Sequence, residues 1–183
     1  MFLIDQLKYD IAINRSEKAF RTLFMKFHGS LLRFCSIYIN DKSLSEEIIS
    51  DVMLNLWLKN EQLMEVIDLK VYLFKSVKNR ALNYLTKVRK YTHWDIDNIP
   101  ISHNVDNYSP EFISIEKEFH KKIISHIESL PPQCQLVFKL IREYGLPYKQ
   151  VADILGLSEK TVDRHLQIAM QKLSEVLKNK IQK

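Results

Sequence analysis

At 183 residues the chain is long enough for one medium domain or two small ones. Apolar residues make up 46% of it, sufficient for buried cores, and only three glycines with five prolines point to a mostly helical protein. The net charge of +5 is uneven, with 15 Lys/Arg against 10 Asp/Glu over 1–94, none against 4 over 95–112, and 12 against 8 over 113–183; two basic lobes around an acidic strip argue for a polyanionic partner.

The opening segment MFLIDQLKYD carries an acid at position 5 and no long apolar run, so it reads as neither a signal peptide nor a membrane span. Phe20, Leu23, Phe24, Phe27, Leu31, Leu32, Phe34 and Cys35 recur at helical spacing and predict a long buried helix from about 15 to 39. Asn40-Asp41-Lys42-Ser43 is a turn. Ser43 or Ser45 then starts a helix through Ile48, Ile49, Val52, Met53, Leu56 and Trp57, with Glu46, Glu47 and Asp51 outward and Trp57 as a core anchor. A connector over 60–67 leads to a third long helix, from about Asp68 to Lys90. Its stripe is Leu69, Leu73, Val77, Ala81, Tyr84 and Val88, while Lys75, Lys78 and Asn79 lie off it. Tyr72, Phe74 and Tyr84 have the ring faces needed to stack on unpaired bases, but at helical spacing each is read first as a core residue.

Charge divides this lobe sharply. Residues 41–65 hold six acids and two lysines, whereas 69–94 hold seven basic residues and no acid. Such a split suits two partners, nucleic acid on the basic surface and a protein on the acidic one. The strip DIDNIPISHNVDNYSPEF over 95–112 has two prolines, several Asn, Asp and Ser, and no helical period, and reads as a linker.

Beyond it, Tyr148–Leu173 reads as two helices joined by a tight turn. Val151, Ala152 and Leu155 precede Gly156-Leu157-Ser158, and Val162, Leu166, Ala169 and Leu173 follow. Ala152 is small where two helices would cross, Gly156 can take φ > 0, and Ser158 can cap the second helix. At about 100° per residue the second helix turns Lys160, Arg164, Gln167 and Gln171 away from its apolar stripe. Such side chains can meet base edges and phosphates, so a helix-turn-helix that binds DNA is expected. Thr161 stands at the start of that helix. His165 lies beside the stripe, open to a structural role or a DNA contact.

Three blocks resemble one family in order and spacing: SEEIISDVMLNLW (45–57), VYLFKSVKNRALNYLTKVRK (71–90) and LPPQCQLVFKLIREYGLPYKQVADILGLSEKTVDRHL (130–166). Together they make the chain similar to the extracytoplasmic-function sigma factors, the compact promoter-recognition subunits of bacterial RNA polymerase. The resemblance implies an all-α fold of two small domains, a three- to four-helix bundle over 1–92 and a helix-turn-helix domain over 113–183, joined by a flexible acidic linker over 93–112. It implies that Glu46, Glu47, Asp51 and Asn55 dock on the clamp helices of the polymerase's largest subunit. Asn60, Gln62, Lys75, Lys78, Asn79, Arg80, Asn83 and Lys87 would meet the −10 element, with a flipped base held in the loop 60–67. Lys160, Thr161, Arg164, His165, Gln167 and Gln171 would meet the −35 element, the linker would thread the RNA-exit path, and the helices before the helix-turn-helix would touch the β-subunit flap. An anti-sigma partner and a cytoplasmic location are implied as well.

The chain departs from the family pattern at Asn83, where Asp is common, at Gln135, where Arg is common, and at Asp163-Arg164-His165, where a more basic triplet is common. Asp163 would repel phosphate, although it could accept from a cytosine amino group. No Gly-rich phosphate loop, HExxH or nucleophile with a paired base is present, and the six histidines are scattered. No enzyme, cofactor, metal or small-molecule substrate is therefore expected. Cys35 and Cys134, without a CxxC partner, read as reduced buried thiols. The competing readings are an autonomous dimeric helix-turn-helix regulator with a sensor or dimerisation domain over 1–94, and a helical protein-interaction module that binds no DNA.

Overall fold

A computed structural model describes residues 2–89, 125–127 and 129–181. The chain falls into two compact units, and among the described residues all regular structure is helical. The linker expected over 93–112 and the start of the second domain at 113 lie outside the described residues.

The first unit contains α1 (Phe2–Ala12), α2 (Glu17–Cys35), α3 (Lys42–Leu58), a 3₁₀ helix (Asn60–Glu65) and α4 (Leu69–Arg89). Ser16 starts α2, its Oγ accepting from the Ala19 amide at 3.2 Å, and Glu17 in the first turn with Arg33 in the last suits the helix dipole. The helix stops at Cys35, short of the expected 39, where the chain passes into turns that bond Tyr38 and Ile39 back to the Cys35 carbonyl. The cap of α3 is Asp41 rather than Ser43 or Ser45: its Oδ1 accepts from the Leu44 amide at 3.1 Å. Ser45 points inward instead and is fully buried, its hydroxyl donating toward the Ile39 carbonyl. Asp68 caps α4 in the same way as Asp41, accepting from the Val71 amide at 3.0 Å.

Leu23, Leu31, Phe34, Ile49, Leu56, Leu73, Phe74 and Val77 form the core of this bundle, with Phe34 and Phe74 ring centroids 5.0 Å apart. Burying a side chain of this size contributes about 1.5–3 kcal/mol, so these positions dominate the unit's stability. Phe74 is therefore a core residue and is not available to stack on bases. The stripe along α4 runs out after Ala81: Tyr84 and Val88 are each 40% exposed, because the last turns of α4 extend past the core. Trp57 is half-buried at the bundle edge rather than in its centre. The Phe20 ring meets it edge-on at 5.1 Å and the Arg15 guanidinium covers it at 4.1 Å.

Helix α1 was not apparent from the sequence. Leu7, Ile11 and Ala12 bury one face of it, and it packs on α2 and on the 3₁₀ helix.

The second unit contains α5 (Pro132–Arg142), α6 (Tyr148–Leu155) and α7 (Glu159–Ile181). Pro132 sits in the first turn of α5, where its missing N–H costs nothing. Leu130, Cys134 and Ala169 form a small core lined by Ile127, Phe138 and Ile168, which fastens α5 to α7. Gly156 ends α6 in the left-handed region, φ 73 and ψ 34, and both its amide and that of Leu157 bond to the Ala152 carbonyl. Ser158 then caps α7, accepting from the Thr161 amide at 3.1 Å. Among the described residues no helix is long and apolar enough to cross a membrane.

Candidate nucleic-acid interface

Two surfaces carry the residues expected to meet DNA, one on each unit. On α7, Val162, Leu166 and Ala169 are buried and Leu173 is partly so, which commits that stripe to packing. Lys160, Arg164, Gln167 and Gln171 are exposed on the other side. Thr161 lies at the helix start, its hydroxyl 2.7 Å from that of Ser158. The Asp163 carboxylate accepts from the Gln167 amide nitrogen at 2.8 Å, so the one acid in the triplet is occupied along its own helix and restrains its neighbour. His165 turns the opposite way, its Nδ1 lying 3.4 Å from the Cys134 sulfur on α5. In this arrangement it ties α7 to α5.

On the first unit, Lys75, Asn79, Asn83 and Lys87 are exposed along α4, and Lys78 and Arg80 are partly buried. Burial, with the charge of Lys75 adding to it, lowers the Lys78 ammonium below the usual lysine range. Tyr72 is half-buried, with the Lys59 ammonium 5.6 Å from its ring centre. Asn60 and Gln62, both exposed, open onto a cleft of about 640 Å³ whose other wall includes Ala12, Ile13 and Arg15. At the end of the same loop, Ile67 is 97% exposed.

The docking candidates lie along α3. Glu47 and Asn55 are exposed, the Asn55 amide donating to the Asp51 carbonyl at 2.7 Å. Glu46 and Asp51 both have partners within the bundle. His28 Nε2 lies 2.7 Å from Glu46, and its ring stacks on Phe24 with centroids 4.9 Å apart. Arg80 reaches Asp51 at 2.5 Å. One ion pair thus links a residue expected to face polymerase to one expected to face promoter DNA, across α3 and α4. Sequence reasoning placed both residues but not their contact, which joins positions 29 apart.

Beside α3, Phe20, Phe24, Met53, Leu54 and Trp57 line an apolar groove of about 430 Å³. Burial pushes the Cys35 thiol up to about 11, only partly offset by a hydrogen bond with Ser45. Cys134 is likewise raised by burial, and both cysteines are free.

A helical bundle with an acid-free basic helix, followed by a separate helix-turn-helix unit, defines a two-part DNA-binding protein. Residues 23–91 match sigma-70 region 2 and residues 120–173 match sigma-70 region 4. The chain belongs to the sigma-70 family and carries its regions 2 and 4. It is accordingly a promoter-recognition factor of transcription initiation. No curated protein is detectably similar to it in sequence. Among solved structures, the fold is similar to the sigma factor RpoE of Bartonella quintana, solved with the anti-sigma factor NepR. The TM-score is 0.65 at 18% identity, over 88% of this chain and 98% of that one. It is also similar to CnrH, solved with the cytosolic domain of CnrY, with a TM-score of 0.60 at 17% identity, over 97% of this chain and 96% of that one.

Proposed function

We propose that this sigma-family chain reads its promoters with two weak surfaces that core RNA polymerase holds in place. In this reading residues 1–92 form the domain that docks on polymerase and opens the −10 element, 93–112 form the linker, and 113–183 read the −35 element. Glu46, Glu47, Asp51 and Asn55 contact the clamp helices of the largest subunit. Lys75, Lys78, Asn79, Arg80, Asn83 and Lys87 follow the phosphates and bases of the melted strand, where each neutralised phosphate releases counterions. The loop Asn60–Ile67 receives an unpaired base, whose unstacking costs a few kcal/mol that the cleft beside Asn60 and Gln62 offsets. On α7, Lys160, Thr161, Arg164, Gln167 and Gln171 face the −35 major groove.

The reading rests above all on the seven cations of 69–94 with no acid among them, a charge pattern that a dimerisation domain does not need. His165, given its Cys134 contact, supports the recognition helix from behind. The helices ahead of the helix-turn-helix meet the β flap, and the factor works in the cytoplasm. The structurally similar RpoE was solved with an anti-sigma factor, which makes a protein inhibitor covering the polymerase-facing surfaces the expected regulator. The test is promoter binding with and without core polymerase. The proposal requires weak binding of duplex promoter DNA by the free protein and strong, specific binding with core. Tight specific binding by the free protein would instead mark an autonomous regulator.

A further inference from the structure

The segment after α3 is a 3₁₀ helix with no side-chain cap at its start, and 3₁₀ hydrogen-bond geometry is poorer than that of an α-helix. Its local bonds include the Gln62 amide to the Lys59 carbonyl at 3.1 Å and the Val66 amide to the Leu63 carbonyl at 3.2 Å. Leu63 is its buried anchor, whereas Asn60, Gln62, Met64 and Ile67 face outward.

Two cations from the start of the chain hold its ends. Lys8 Nζ, on α1, donates to the Val66 carbonyl at 2.9 Å, one residue before the exposed Ile67. Arg15 Nη1 donates to the Trp57 carbonyl at 2.6 Å while its guanidinium lies over the Trp57 ring, just before the loop begins. These are contacts across 58 and 42 residues. Arg15 has φ 51, a left-handed conformation uncommon for an arginine, whereas Asn60, also at φ 51, is of a residue type that tolerates it. At Arg15 the bond and the ring contact hold that conformation. Ala12, Ile13 and Arg15 also form the wall of the cleft opposite Asn60 and Gln62. Residues 2–15 lie ahead of the segment matched to sigma-70 region 2, which begins at residue 23.

We infer that α1 and the turn at Arg15 form a brace that sets base selectivity at the −10 element. Lys8 and Arg15 are positioning residues: by fixing both ends of the loop they keep the cleft beside Asn60 and Gln62 in one shape, so that it accepts one unpaired base over the others. The inference rests on the reading that this loop meets the unpaired base.

The experiment is transcription in vitro by full-length protein with core polymerase, on a promoter library randomised across both elements, with start sites sequenced. The variants are Lys8→Met, Lys8→Arg, Arg15→Met and Asn60→Ala with Gln62→Ala. Lys8→Met and Arg15→Met are each expected to reduce the preference at one −10 position by about tenfold, near the low end of what a single base position carries. Preferences at −35 should be unchanged, and Lys8→Arg should retain the −10 preference. General destabilisation would lower output on all promoters alike and leave the ratios intact. Arg15 is exposed, so its variant reads out the brace even if Lys8→Met fails to fold. If the −10 preference survives in both Met variants but falls in the Asn60/Gln62 variant, the brace is refuted and the loop reading stands. If it survives in all of them, the loop reading fails as well.

Discussion

Asp51 offers a way to separate a docking role from a structural one. Its carboxylate lies 2.5 Å from Arg80, with side chains 49% and 41% exposed. At that exposure water screens the attraction, and such pairs contribute about 0–1 kcal/mol. Asp51→Asn should therefore cost the fold less than about 1 kcal/mol, a drop in melting temperature of roughly 4–8 °C at most for a unit of this size. A carboxylate desolvated against a partner is a different case, because truncating one member of such a pair costs about 2–5 kcal/mol. The expected loss in core-polymerase affinity is thus about 30-fold or more. The assay is a titration of labelled protein with core polymerase, beside a thermal melt of the same preparation. Exchanging the charges, Asp51→Arg with Arg80→Asp, restores the ion pair and should restore the melting temperature while leaving docking impaired. Two results would refute the reasoning: an affinity loss below about threefold in Asp51→Asn, or recovery of polymerase binding in the exchanged variant. The second would mean that Asp51 matters only through its hold on α4.

Lys160→Ala and Arg164→Ala should each weaken −35-dependent transcription by about 1–3 kcal/mol of promoter affinity, measured as promoter occupancy with core polymerase; unchanged occupancy in both would remove these residues from the interface. Gly156→Ala should lower the stability of the helix-turn-helix unit by about 1 kcal/mol. The added Cβ meets nothing within 4 Å, so the cost is that of φ 73 alone, and a chemical denaturation curve unchanged from wild type would contradict the turn geometry. Cys35, with its thiol raised by burial to about 11, should resist alkylation in native protein at pH 8 and react in denaturant. Because its folded value lies above the unfolded value of 9.0, its contribution to stability is complete below pH 9 and is lost as pH rises toward 11. Rapid native labelling would show that this part of the core is open.

What the sequence revealed was local. The helix-turn-helix was legible because a glycine at its turn, a serine cap three residues before Thr161 and a four-residue apolar spacing all act within one or two turns of chain. The stripe of α2 was legible for the same reason. Short-range competition hid the start of α3, where Asp41, Ser43 and Ser45 are all capping residues. Tertiary packing decided between them by burying Ser45. Helix α1 went unseen because Leu7 and Ile11 make only a brief stripe within eleven residues. Pairings across long stretches of chain had no local signature at all. Lys8 with Val66, Arg15 with Trp57, Arg80 with Asp51 and Cys134 with His165 came into view only with the fold. The first two show the loop 60–67, expected from the resemblance to hold a flipped base, to be gripped at both ends.

Transcription reconstituted from core polymerase, this protein and a randomised promoter library, with start sites sequenced, tests the central claim most directly. Start sites that depend on the protein and share two upstream elements, one altered by changes on α7 and the other by changes on α4, are the predicted result. A protein that binds duplex DNA tightly on its own and adds no start sites to core polymerase would contradict it.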